Sequence, residues 1–171
     1  MAVKSLIQTV TVGAGGAASI EFTAIPQSGS ELILVISNRV DANQFEGQIQ
    51  FNGDTASNYS AVRLFTNGNG IFTGSSSGTG LYIYGIGRAD ATANTFASAS
   101  IYVSNYTSSV AKTVSTEGVS ENNNASAFSY LVGIGGGKWS GTAAITSLKL
   151  FAASSNFVQH TTASLFKIKY D

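Results

Sequence analysis

Apolar and polar residues alternate with a period of two along most of this chain, and helical spacing is sustained nowhere over a dozen residues. Successive side chains of a strand point to opposite faces, so this alternation specifies half-buried strands. In Ala18-Ser19-Ile20-Glu21-Phe22-Thr23-Ala24 it puts Ile20 and Phe22 on one face and Glu21 on the other. Residues 164–170 repeat the pattern, which predicts Phe166, Ile168 and Tyr170 inward and Lys167 and Lys169 outward. Residues 32–36 are continuously apolar and predict a central strand covered on both faces. Further strands are predicted at 6–12, 47–51, 61–65, 81–86, 96–103, 110–119, 128–134 and 145–151. Between them lie turn clusters at 13–16, 27–30, 67–70, 74–80, 122–124 and 135–137, with Ser75-Ser76-Ser77-Gly78 reading as one flexible loop. Short strands separated by such signals predict an all-β fold, an antiparallel β-sandwich that is jelly-roll-like, in one domain spanning 1–171.

Composition narrows the partners. Apolar residues make up 43% of the 171, enough for a packed core, while charged residues are only 11%, against a usual value of about 25%. Ser and Thr number 40, so the predicted surface is rich in hydroxyls and nearly uncharged. Nine basic residues balance nine acidic ones and are scattered, so no basic stripe exists to neutralise phosphates and nucleic acid is not an expected partner. With no cysteine, disulfides, zinc–thiolate sites and thiol catalysis are excluded. No window approaches the ~20 apolar residues of a membrane helix, and the first residues lack the apolar run of a secretory signal. The expectation is a soluble protein made in the cytoplasm, with no membrane partner.

Reactive constellations are weak. His160 is the only histidine, and no Gly-x-Ser-x-Gly elbow surrounds any serine, so a Ser-His-Asp triad is not expected. Glu21, Glu31, Glu46, Glu117, Glu121 and the four aspartates are too scattered to suggest a glycosidase pair. Gly136-Gly137-Lys138-Trp139 lacks the first glycine and the Ser or Thr of a phosphate-binding loop, and Gly85-Ile86-Gly87-Arg88 lacks the third glycine of a dinucleotide fingerprint.

The strongest local signal is Phe51-Asn52-Gly53-Asp54, because Gly takes positive φ without strain and Asn and Asp tolerate it. Asp54 with its turn carbonyls, joined by Asp41 or Asn43, is the best oxygen set for calcium, yet EF-hand spacing is absent and the plain turn is the stronger reading. No metal and no cofactor is therefore expected. A Ser-Asn-aromatic triplet recurs at Ser57-Asn58-Tyr59, Ser104-Asn105-Tyr106 and Ser155-Asn156-Phe157, which suggests turns anchored by a ring beneath them. The candidate contact residues are Asn52, Asp54, Asn58, Tyr59, Asn105, Tyr106 and Trp139, the lone tryptophan.

Several segments carry a resemblance. They are Leu6-Ile7-Gln8-Thr9-Val10-Thr11-Val12-Gly13 with residues 16–26, Phe51-Asn52-Gly53-Asp54-Thr55 with Ser57-Asn58-Tyr59-Ser60, and Ser104-Asn105-Tyr106-Thr107-Ser108-Ser109. Ala143-Ala144-Ile145-Thr146-Ser147-Leu148 and Asn156-Phe157-Val158-Gln159 complete them. Together, along essentially the whole chain, these resemble small all-β virion structural proteins of tailed bacteriophages, aquatic phages in particular. The resemblance implies a non-enzymatic protein on the virion surface, at the head or the tail, partnered by the major capsid protein or other virion proteins. It supplies no catalytic residue. A capsid decoration (cement) protein, assembled as a homo-oligomer with a trimer favoured, is the leading expectation. The alternative is a tail- or fibre-associated module that recognises a host glycan through Tyr59, Tyr106, Trp139 or residues 122–124.

Overall fold

The computed structural model describes residues 1–43, 46–67, 69–120 and 131–170, in twelve strands and no helix. In chain order these are β1 (Ala2–Thr11), β2 (Ser19–Phe22), β3 (Glu31–Asn38), β4 (Gly47–Phe51), β5 (Tyr59–Thr66) and β6 (Ile71–Gly78). They continue as β7 (Leu81–Ile83), β8 (Ala97–Val103), β9 (Lys112–Ser120), β10 (Leu131–Trp139), β11 (Leu148–Phe151) and β12 (Thr162–Tyr170).

Eight of these strands pair from the outside of the chain inward: β1 with β12, β2 with β11, β3 with β8 and β4 with β7, all antiparallel. Such nesting is one long antiparallel ribbon wrapped on itself, the jelly-roll arrangement. The further pairings of β12 with β3 and β11 with β4 close the ribbon into two layers. The other four strands form two consecutive antiparallel pairs. β5 and β6 lie in the connection from β4 to β7, and β9 and β10 in the connection from β8 to β11. They dock beside β8 in the order β9-β10-β5-β6, so one sheet grows to eight strands while the other keeps four, β2-β11-β4-β7.

The core sits between the layers. Leu32, Leu34 and Ile36 of β3, Ile101 and Val103 of β8, and Leu165 of β12 face Ile20, Phe22, Ile49, Phe51, Leu148 and Leu150. Each fully buried side chain of this size contributes roughly 1.5–3 kcal/mol of transfer free energy. Beneath the four added strands, the second layer is supplied by β7 and residues 84–86, with Leu81, Ile83, Tyr84 and Ile86 all buried. That packing is close. A Cβ on Gly118 of β9 would lie 2.3 Å from the Tyr84 carbonyl oxygen, and one on Gly137 of β10 would lie 2.3 Å from Leu81 Cδ1.

Several expectations are corrected. Residues 135–137 are the middle of β10, where Gly137 makes room for Leu81 of β7, and do not form a turn. Residues 71–78 form strand β6, so the Ser75–Gly78 stretch is no loop and is paired along its length with β5. Residues 32–36 are covered on one face only, since Val35 is 39% exposed. In β12 the inward residues are Ala163 and Leu165, because Leu165 is registered opposite buried Leu34. Phe166 instead lies opposite Leu6 and Ile33 on the outer face under the Lys4 ammonium, and Tyr170 reaches out to donate a hydrogen bond to Glu31. The outer face of the large sheet is itself partly apolar, so apolar alternation does not mark the inside there. The turn at 122–124 and the strand start at 128–130 lie outside the described residues.

Candidate functional site

Asn52 and Gly53 take φ of 54° and 66°, and the Asp54 N–H donates to the Phe51 carbonyl at 2.9 Å. Two consecutive positive φ values closed by such a bond make a tight turn that Asn-Gly adopts with least strain. The turn does not join hairpin partners. It carries the chain from β4 in the small sheet toward β5 in the large one.

Asp54 accepts three hydrogen bonds within the protein. Trp139 Nε1–H donates to its Oδ2 at 2.7 Å and Asn58 Nδ2–H to the same oxygen at 2.9 Å, while the Ala56 N–H donates to Oδ1 at 2.9 Å. These donors favour the charged form and hold the carboxyl below its ordinary pKa, with the Trp139 bond the largest cause. The Tyr59 hydroxyl donates to the Asp54 carbonyl at 3.1 Å and accepts from the Phe51 N–H at 2.9 Å. Burial raises the Tyr59 pKa to about 12. The rings of Phe51, Tyr59 and Trp139 pack together, with Phe51 and Trp139 centroids 5.6 Å apart.

Asn52 ties this turn to residues 144–147. Its Oδ1 accepts from the Thr146 N–H at 2.8 Å and the Ser147 N–H at 3.1 Å, and its Nδ2 donates to the Ala144 carbonyl at 2.8 Å. Tyr106 reaches the same segment, because the Ile145 N–H donates to its carbonyl at 2.8 Å, while its hydroxyl donates to the Pro26 carbonyl. Six of the seven predicted residues therefore meet around residues 139–147 at one end of the sandwich. Asn105, at φ 52° and exposed, joins only through its neighbour Tyr106.

What the rings do differs from the glycan expectation. Tyr59, Tyr106 and Trp139 are 1%, 0% and 3% exposed, so none presents a face on which a sugar could stack. Phe157 is likewise buried beneath the third triplet, whose Asn156 donates to Asp41 from both its N–H and its Nδ2. Asp41 is thereby engaged away from Asp54, and among the described residues no three His, Cys, Asp or Glu side chains cluster as metal ligands. His160 is an exposed turn residue at φ 73°.

Sequence reading missed Lys112, counted only as one of the scattered lysines. It is fully buried, and its ammonium donates to the carbonyls of Ser108 at 2.8 Å and Ala143 at 3.0 Å, and to that of Val110, with Thr142 at 3.4 Å. The ammonium also lies 5.8 Å from the Trp139 ring centre. Burial lowers its pKa. The signal was present, since Lys112 shares the inward parity of Val114 and Thr116.

Beside the turn lies a polar cleft of about 300 Å³ on the outer face of the small sheet, lined by Glu21, Thr23, Gln50, Thr55, Ser147 and Lys149. Glu21 and Lys149 form an ion pair at 3.6 Å across cross-strand partners.

Fold and junction together define an all-β jelly-roll sandwich, widened by two inserted strand pairs and pinned at one end by an Asp–Trp–Lys network. No family model matches the chain, and no curated protein matches it. Among solved structures it is similar to the galectin LEC-6 of Caenorhabditis elegans, at 8% identity over 95% of this chain and 96% of that one, with a TM-score of 0.32. An exo-inulinase from Aspergillus awamori is 11% identical over 97% of this chain and 29% of that chain, with a TM-score of 0.39. A protein of unknown function from Shewanella oneidensis is 14% identical over 96% and 75%, with a TM-score of 0.28. At these scores none of the three bears on function.

Proposed function

We propose that this chain is a non-enzymatic structural protein of a tailed-bacteriophage virion, a decoration (cement) protein seated on the outer capsid surface. One observation carries this reading. Three of the segments that bear the virion-protein resemblance, at 51–60, 104–109 and 143–148, converge on a single junction whose polar atoms bond to one another. What they encode is a scaffold. Asp54, the most conspicuous of the acidic candidates, accepts three intramolecular bonds and has its ring neighbours buried. Around that scaffold the sheet surfaces offer hydroxyls and aliphatics with few charges, which suits contact with other protein better than steering toward phosphate. Cryo-electron microscopy of the parent particle tests the proposal directly: it requires density for this fold on the head exterior, and density confined to the tail overturns it.

A second reading, a glycan-binding module of the tail, is favoured by the cleft beside the turn. Its amide, hydroxyl and charged groups match sugar hydroxyls, although no exposed ring lines it. Binding on a glycan array that disappears in Lys149→Ala or Thr55→Ala, with attachment to stripped capsids absent, decides for this reading.

A further inference from the structure

We infer that the outward face of the four added strands is an interface with a second copy of this chain, formed by two such faces packing about a two-fold axis. The inference does not depend on the virion reading. Alternation along β5, β6, β9 and β10 turns Val62, Leu64, Ile71, Val119, Val132 and Ile134 outward, each between 41% and 75% exposed. Register makes them one patch. Leu64 lies opposite Ile134, Val132 opposite both Val119 and Thr66, and Ile71 opposite Thr66. A shallow groove of about 570 Å³ runs between Val62, Leu64 and Ile134 on one side and Thr73 and Ser75 on the other.

The largest contiguous apolar patch on a soluble protein is often a contact surface. Four strands about 4.8 Å apart, each about eight residues at roughly 3.4 Å rise, make a face of roughly 500 Å². Two such faces bury about 1,000 Å² together, the lower bound of what a specific protein contact needs. Charge permits the pairing, since among the outward positions of these strands only Glu117 and Lys138 are charged, one of each sign. Shape favours a copy over a foreign partner, because a twisted sheet packs best on a sheet of the same twist, with side chains interdigitating about 10 Å apart. The same patch on both subunits is what a two-fold contact uses. The inner face of the extension covers β7 and residues 84–86, so its outer face is the one left open.

A two-fold contact yields dimers or assemblies of dimers, in contrast to the trimer that the resemblance favours. Size-exclusion chromatography with light scattering on the full chain, at tens of micromolar, is expected to return a dimer. Leu64→Asp and Ile134→Asp are expected to give monomers with an unchanged far-ultraviolet circular dichroism spectrum, because both side chains are already exposed. The chain has no cysteine, so Ile134→Cys is expected to form an oxidative cross-link between copies, and Glu21→Cys on the opposite sheet is not. A monomeric wild type without cross-linking overturns the inference, as does a trimer, or a dimer indifferent to both aspartates. A monomer that attaches to stripped parent particles only while Leu64 is intact assigns the face to a foreign partner, and overturns it too.

Discussion

Asp54 shows how a residue that looks reactive in sequence becomes structural in three dimensions. Its carboxylate is bonded by Trp139, Asn58 and Ala56, and removing it leaves the Trp139 N–H without its partner beneath the junction. Charge-assisted bonds of this kind contribute about 1.5–3 kcal/mol each, and their loss is partly offset by water, so Asp54→Ala is expected to cost about 2 kcal/mol. Urea unfolding followed by the fluorescence of Trp139 checks this, with the slope unchanged. The pH dependence follows from the same bonds. Asp54 and Asp41 both titrate below the ordinary 3.8 in the folded state, so their contribution is complete above pH 3.8 and is lost as pH falls through the lower folded values. Tyr59 has the opposite sign. Its pKa rises from 10.0 to about 12, so folding is favoured fully below pH 10 and weakens progressively between 10 and 12. Tyr59→Phe is expected to reduce that alkaline dependence in pH-dependent thermal melts, leaving the share of Tyr84, Tyr102 and Tyr106, and Asp54→Asn to reduce the acid dependence, leaving that of Asp41. The Asn-Gly-Asp turn was legible because its chemistry is local. The Trp139 partner was not, since that bond joins residues 85 positions apart, and two of the four carbonyls around Lys112 lie 30 and 31 positions away.

At the scale of elements, strands were legible wherever one face is buried and the other polar, as in β2, β4 and β8. The two large misreadings share a cause. Glycine and serine signal turns at 74–80 and 135–137, but residues 74–78 and 135–137 lie within strands, and only 79–80 form a bend. Gly118 and Gly137 are needed because β7 and residue 84 press against the sheet, a constraint set by packing and invisible to local propensity. The glycines of β9 and β10 therefore divide into two kinds. Gly118→Ala drives a methyl into the Tyr84 backbone and is expected to cost about 3 kcal/mol or more. Gly136→Ala points outward into open space and is expected to be neutral or up to about 1 kcal/mol stabilising, because alanine loses less backbone freedom on folding. Paired denaturation curves of the two variants check the contrast. Similar curves would show that the strands are not packed as described.

For the whole molecule, the all-β sandwich was legible from periodicity and turn spacing, but the unequal sheets were not. Which strands neighbour one another depends on pairings across the full chain, and the nesting of β1 on β12 places the most distant residues side by side. Such topology defers much of its stabilisation until late in folding, so refolding is expected on a scale of roughly 10 milliseconds to seconds. Stopped-flow Trp139 fluorescence measures this, and microsecond refolding is incompatible with the topology. The same nesting has a practical side. Ala2 lies directly across from Tyr170, a separation of about 5 Å between backbones. A few added residues therefore suffice to splice one end of the chain onto the other, and new ends can be opened in the exposed Gly13-Ala14-Gly15 turn. Such a circular permutant is expected to melt within a few degrees of the parent. Two peptides fused to the original ends would emerge together at one corner, on the edge of the large sheet opposite β6.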